Sequence, residues 1–217
     1  MKLVAFTFDD GPGPHTAALL DGLLLRDAKA TFFVLTNHLD AAKSGLIRRM
    51  HEEGHEVANH TASHSRLHHL ATDEIRREIT AADNALRGIT GKTPALFRPP
   101  YGGFTTRVMG AVGKPFILWS VNTKDWCDFS HGLVLNAILA DISDGDIILL
   151  HEHEGSHSMT AAFEAMDILA SQGYRFVTVP ELFAARGISP ESGSFYCAAN
   201  SKSCERNVFD GDDSFAQ

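Results

Sequence analysis

Long apolar runs, basic residues and cysteines are all scarce in this chain of 217 residues. No stretch of about 18 consecutive apolar residues occurs, so nothing in the sequence reads as a spanning helix. No positively charged start leads into an apolar segment, so no secretory leader is visible in it. With 19 Lys and Arg against 27 Asp and Glu, the formal charge is -8. That balance disfavours nucleic acid and anionic membrane surfaces as partners. Three cysteines leave the redox compartment open. Cys197 and Cys204 are spaced to close a short C-terminal loop, while Cys127 beside Trp126 reads as unpaired. Neither an internal repeat, a low-complexity stretch nor a linker divides the chain. At 44% hydrophobic residues it can bury one full core, which argues for a single domain.

What is present is concentrated in five short clusters. The first, Thr7-Phe8-Asp9-Asp10-Gly11-Pro12, sets two adjacent carboxylates between an apolar strand-like run and a Gly-Pro break. Neighbouring side chains on a strand point to opposite faces, so Asp9 and Asp10 share one site only where the strand ends and the chain turns. Gly11, Pro12, Gly13 and Pro14 supply that turn. The pair then divides into two roles, one acid to bind a metal and the other to move protons. Taken alone, the same pair also reads as loop-capping carboxylates.

The second cluster, Asn59-His60-Thr61-Ala62-Ser63-His64, follows a short strand candidate, Val57-Ala58. Two imidazoles four apart fall on one helical face, so both reach one cation if the segment turns helically, with a carboxylate as third ligand. In a chain with 12 histidines, an isolated pair at this spacing is also read as solvated surface. Arg98-Pro99-Pro100-Tyr101-Gly102 is a stiff turn able to aim an arginine and present backbone N–H groups. Residues 119–126 put Asp125 and Trp126 after another apolar run, and Ile147 to His151 is a buried-type strand ending in histidine. Each of these has an ordinary reading as a proline turn, a core tryptophan, a capping aspartate or a strand-end histidine. Five such clusters at the C-terminal ends of strands point instead to one shared site.

Strands are expected at 3–8, 30–35, 56–59, 95–97, 116–120, 146–151 and 175–178. Helices are expected at 15–26, 43–53, 72–88, 105–112, 132–142, 159–172 and 180–186, with Thr72 as an N-cap and Gly54, Gly173 and Gly187 where helices stop. This alternation argues for an α/β fold of parallel strands with helical crossovers.

With its five motifs in order, the chain resembles the polysaccharide deacetylases, carbohydrate esterase family four, whose shared unit is the NodB homology domain. The resemblance covers about residues 3 to 185. It implies a distorted (β/α) barrel of about seven strands. It makes residues 1–187 the catalytic domain and leaves 188–217 as a loosely structured extension, acidic from Ser201 onward. By resemblance, Asp9 is the general base and Asp10, His60 and His64 hold one divalent metal, zinc first, with cobalt or nickel also fitting. Arg98 orients Asp9, His151 is the general acid and Asp125 tunes it. Trp126 and Leu149 wall the pocket for the acetyl methyl, and the Tyr101 N–H helps hold the oxyanion.

The chemistry is coherent without the family name. Amide hydrolysis needs an activated water, an electrophile on the carbonyl and an acid for the leaving nitrogen. The implied reaction removes acetyl groups from N-acetylglucosamine units of chitin-type glycan or peptidoglycan. The same machinery would serve O-deacetylation of xylan, and a retired scaffold would leave a glycan-binding module. A neutral glycan with a cationic product suits the negative chain. The family's usual substrates suggest an extracellular or envelope location, and the oligomeric state is left open. Two positions depart from the family pattern: Asn122 and Glu152 stand where many relatives have aspartate. The run from His151 to His157 is rich in ligand-type side chains and reads either as a second metal site or as a solvated loop.

Overall fold

The computed structural model describes residues 1–127, 130–152 and 157–200. Strand β1 (Lys2–Asp9) is followed by α1 (Thr16–Leu25), β2 (Ala30–Val34), α2 (Ala41–Glu52), β3 (Glu56–Asn59) and α3 (Thr72–Thr90). Then come α4 (Thr106–Val112), β4 (Phe116–Ile117), β5 (Val121–Asn122), α5 (His131–Leu139) and β6 (Ile147–His151). The order closes with α6 (His157–Ser171), β7 (Tyr174–Phe176), α7 (Val179–Ala184) and β8 (Phe195–Tyr196). The main sheet runs β3-β2-β1-β6-β5 with β7 also on β1, and β4 pairs with β8. All these ladders are parallel, which requires crossover connections and makes the chain an α/β protein, as expected.

The central strands read as near-continuous apolar runs because both of their faces are covered. Val4, Phe6 and Phe8 of β1 and Ile148 and Leu150 of β6 pack with Leu20 and Leu23 of α1 and Met166 of α6. The opposite face carries Leu3, Ala5, Phe33 and Ile147, covered by Val179 and Phe183 of α7. A third cluster gathers Ile75, Phe97, Phe104 and Phe116, with both Phe97 and Phe104 4.9 Å from Phe116 between ring centroids. Among the described residues no helix is long and apolar enough to cross a membrane.

Several expected elements differ. The strand at 95–97 reduces to single bridges from Phe97 to Asn59 and Phe116, because Pro94 before it and Pro99 and Pro100 after it lack ladder donors. The strand at 116–120 divides into β4 and β5, since Leu118 N–H donates to Tyr196 O whereas Ser120 N–H donates to Ile147 O. The ladders alone do not run round a closed ring; single bridges at Phe97 carry the series from β3 to β4. Thr72 is the first helical residue rather than the cap. The cap of α3 is Ala71, whose N–H donates to the Glu74 carboxylate at 2.8 Å.

The extension expected to be loose is packed at its start. β8 pairs with β4, Cys197 and Ala199 are buried, and Ala199 N–H donates to Gly145 O at 2.7 Å. Residues 201–217, and with them the expected Cys197–Cys204 pairing, lie outside the described residues. Cys127 is free and exposed, as read from the sequence.

Candidate active site

Parallel strands bring their C-terminal ends to one rim, and the register decides which side chains meet there. β1 and β6 pair Thr7 with Leu149 and Asp9 with His151. Because side chains alternate, these four face one side of the sheet while Phe8 and Leu150 face the helices on the other. Asp10 then leaves the strand with φ 73, its N–H donating to Phe33 O at 3.2 Å. This left-handed residue is how two consecutive acids serve one site. The turn after it passes so close to Glu152 that a Cβ on Gly13 would lie 2.8 Å from the Glu152 backbone oxygen, which favours glycine there.

His60 and His64 meet by a route other than the helical one expected. β3 ends at Asn59, and positive φ at Thr61 (75°) and His64 (60°) folds the segment back as a loop. The loop is tied internally: Thr61 N–H donates to Asn59 Oδ1 at 2.7 Å and His64 N–H to Thr61 Oγ1 at 3.0 Å. It is tied externally through Glu78 of α3, whose Oε2 accepts from Ala62 N–H at 3.1 Å and Ser63 N–H at 2.9 Å. His60 Nδ1 lies 2.8 Å from the Arg98 carbonyl oxygen. A carbonyl only accepts, so Nδ1 carries the proton and Nε2 keeps its lone pair for the site.

Asp10 Oδ1 lies 3.4 Å from Nε2 of both His60 and His64, and the three potential ligand atoms fall within 4.8 Å of one another. That oxygen is buried without a hydrogen-bond partner. A desolvated carboxylate oxygen facing two imidazole lone pairs is what a divalent cation satisfies, so the residues fit such an ion. Burial opposes charge on Asp10, but His60, His64 and His151 outweigh it and hold the carboxyl well below the usual range. Burial, together with the nearby His60, lowers the His64 pKa and favours the neutral, ligating imidazole.

Two ion pairs, Asp9 with Arg98 and His151 with Asp125, flank this trio. Asp9 Oδ1 accepts from Arg98 Nη1 at 2.7 Å, with both side chains buried. The guanidinium also donates to Thr7 Oγ1 at 2.7 Å, Ile117 O at 2.9 Å and Leu118 O at 2.8 Å, and lies 4.0 Å from the Phe33 ring centroid. On the other flank, His151 Nδ1–H donates to Asp125 Oδ1 at 2.8 Å and His151 N–H to Oδ2 at 2.8 Å. Burial disfavours an imidazolium at His151, yet the Asp125 hydrogen bond and charge, with Asp9 and Asp10 behind them, raise its pKa. Thr123 pins the exit of β5 by donating to Leu149 O at 2.7 Å.

The remaining expected residues are nearby. Tyr101, at φ 60, sets its ring 4.6 Å from His64 with the Arg66 guanidinium 4.2 Å over it. Tyr101 and Trp126 are each 49% exposed, and Leu149 is buried. Of the departures, Asn122 Oδ1 accepts from Lys124 N–H at 3.2 Å, and Glu152 accepts from the Thr16 hydroxyl. The rest of the histidine-rich run, 153–156, lies outside the described residues. The sequence reading missed Thr7 and Glu78. Thr7 had a signal, standing two before Asp9 on the same strand face; Glu78 is one charged residue among several on an amphipathic helix and had none.

The polysaccharide deacetylase family model matches residues 1–114. A peptidoglycan-N-acetylglucosamine deacetylase of Listeria monocytogenes, PgdA, is 40% identical over 188 residues, 85% of this chain and 40% of its own length. A chitooligosaccharide deacetylase of a Bradyrhizobium species is 39% identical over 156 residues, 70% of this chain and 71% of its own. Among solved structures, a family 4 acetyl xylan esterase from Clostridium thermocellum in complex with a cobalt ion superposes with a TM-score of 0.86. It has 33% identity, covering 91% of this chain and 98% of that one. The chain belongs to the polysaccharide deacetylase family, as its five motifs implied. It spans about 40% of the length of the Listeria relative.

Proposed function

We propose that the chain is a metal-dependent hydrolase that removes acetyl groups from N-acetylglucosamine units of a chitin-type or peptidoglycan glycan, releasing acetate. The observation that carries this is the convergence of Asp10, His60 and His64 between two proton-handling pairs, one buried and one partly buried. Asp10, His60 and His64 would hold one divalent cation. Two nitrogens and one oxygen suit zinc, and cobalt or nickel is compatible with the same set. When bound, the cation supplies a Lewis acid for the acetyl carbonyl and acidifies water beside it.

The chain's own groups do the rest. Asp9, locked by Arg98, accepts the proton of the attacking water. The Tyr101 N–H donates to the developing oxyanion, a contribution of about 3 kcal/mol by analogy with other such donors. His151, kept protonated by Asp125, gives its proton to the departing nitrogen. Trp126 and Leu149 bound the methyl side of the acetyl group. Release of free amine and acetate from acetylated chito-oligomers, abolished by chelator and restored by zinc, is the expected result. Release from acetylxylan alone would make the substrate an O-acetyl ester instead, and no release from any acetylated glycan would favour a binding role.

A further inference from the structure

We propose that Glu78, outside the site on α3, is a positioning residue that sets the separation of the His60 and His64 imidazoles. The inference rests on the reading of those side chains as cation ligands. Three residues separate them, and the loop they form contains two left-handed non-glycine residues, Thr61 and His64, a backbone that local sequence does not favour. Something beyond the loop must hold it in that shape. Its start is held by Asn59, whose Nδ2 donates to Ile79 O at 3.1 Å and Asp83 Oδ1 at 2.8 Å, both on α3. Its middle is held by one carboxylate oxygen: Glu78 Oε2 accepts both consecutive N–H groups, Ala62 and Ser63.

Two donors converging on a charged acceptor form a stronger tie than two neutral bonds. The acceptor itself is fixed, because α3 is anchored by buried Ile75, Ile79, Ala82 and Leu86. Helix α3 therefore acts as a jig for the segment between the two imidazoles. Without Glu78 the segment relaxes, and the two Nε2 atoms no longer present their lone pairs to a common point at the Asp10 oxygen.

The test compares the full chain with Glu78→Ala, Glu78→Gln and His64→Ala. The readouts are zinc affinity by competition with a chromophoric chelator and the visible absorption of the cobalt(II)-loaded protein. His64→Ala should lose zinc, which checks the metal reading on its own. Glu78→Ala should bind zinc about tenfold or more weakly, the range seen when groups supporting metal ligands are removed, with an altered cobalt spectrum. Glu78→Gln keeps the length and an acceptor oxygen and should restore most of the affinity. A folded Glu78→Ala with parental zinc affinity and cobalt spectrum overturns the inference. Should that variant not fold, Glu78→Asp, which withdraws the carboxylate by one methylene, is judged by the same two readouts. If the parent binds no zinc, or His64→Ala binds it as well as the parent, it is the metal reading that fails.

Discussion

At Asp9 and Arg98 a carboxylate and a guanidinium are both out of water, and every polar arm of the arginine is engaged. Such a pair is worth little as net stability but holds its carboxylate in one place. Asp9→Asn keeps the acceptor oxygen for Arg98 while losing the proposed base. Turnover should fall by about a hundredfold or more with zinc still bound, whereas His60→Ala should lose the zinc; elemental analysis beside an acetate assay separates the two. The pH profile follows from His151, whose pKa lies above its ordinary 6.5 because of Asp125. In the proposed mechanism the acid form of His151 is the active one, so the alkaline limb of kcat should report its loss. Asp125→Asn removes the cause of the raised value and should move that limb to lower pH; an unmoved limb would assign it to another group. The residues that converge at the candidate site were legible, since Asp9, Asp10, His60, His64, Arg98, Asp125 and His151 stand in short motifs. Those that act by holding backbone, such as Glu78, were not, because their partner lies 15 or 16 residues away and carries no recognisable side-chain type.

Helix α3 shows how an element's start is decided. Thr72 is the better capping side chain, but with Thr72 as cap the third helical position would be Ile75, which accepts nothing. Starting one residue earlier puts Glu74 there, and its carboxylate takes the Ala71 N–H. The cap residue itself contributes no side-chain bond. Ala71→Asp or Ala71→Ser should therefore raise stability by about 1 kcal/mol, read as a higher urea midpoint at constant slope. Longer elements were legible for the reason given by their period: each of the seven expected helices is present, and β1, β2, β3 and β6 lie where apolar runs placed them. Two-residue β8 was not, because so short a strand has no periodicity and exists only through its pairing with β4.

Across the whole molecule, Glu152 links two of the site's stretches. Its N–H donates to Asp9 O at 2.9 Å, and its carboxylate receives the Thr16 hydroxyl at the start of α1. Burial pushes this carboxyl from 4.5 up to about 7, with Asp9 and Asp10 adding to the rise. The folded state thus binds a proton that the unfolded chain has released. This contribution to stability is fully present below 4.5 and lost as pH climbs through about 7. Denaturation at about pH 5 and about pH 8 should show the parent losing more stability than Glu152→Gln; equal losses would remove Glu152 as the source.

The site occupies one rim of the sheet, and β1 enters from the other. Met1 is 88% exposed. Seven residue steps along β1 then carry the backbone roughly 23 Å to Asp9, at about 3.3 Å per step. A bead, dye or fused module tethered through Met1 would therefore hang from the rim of the sheet opposite Asp9.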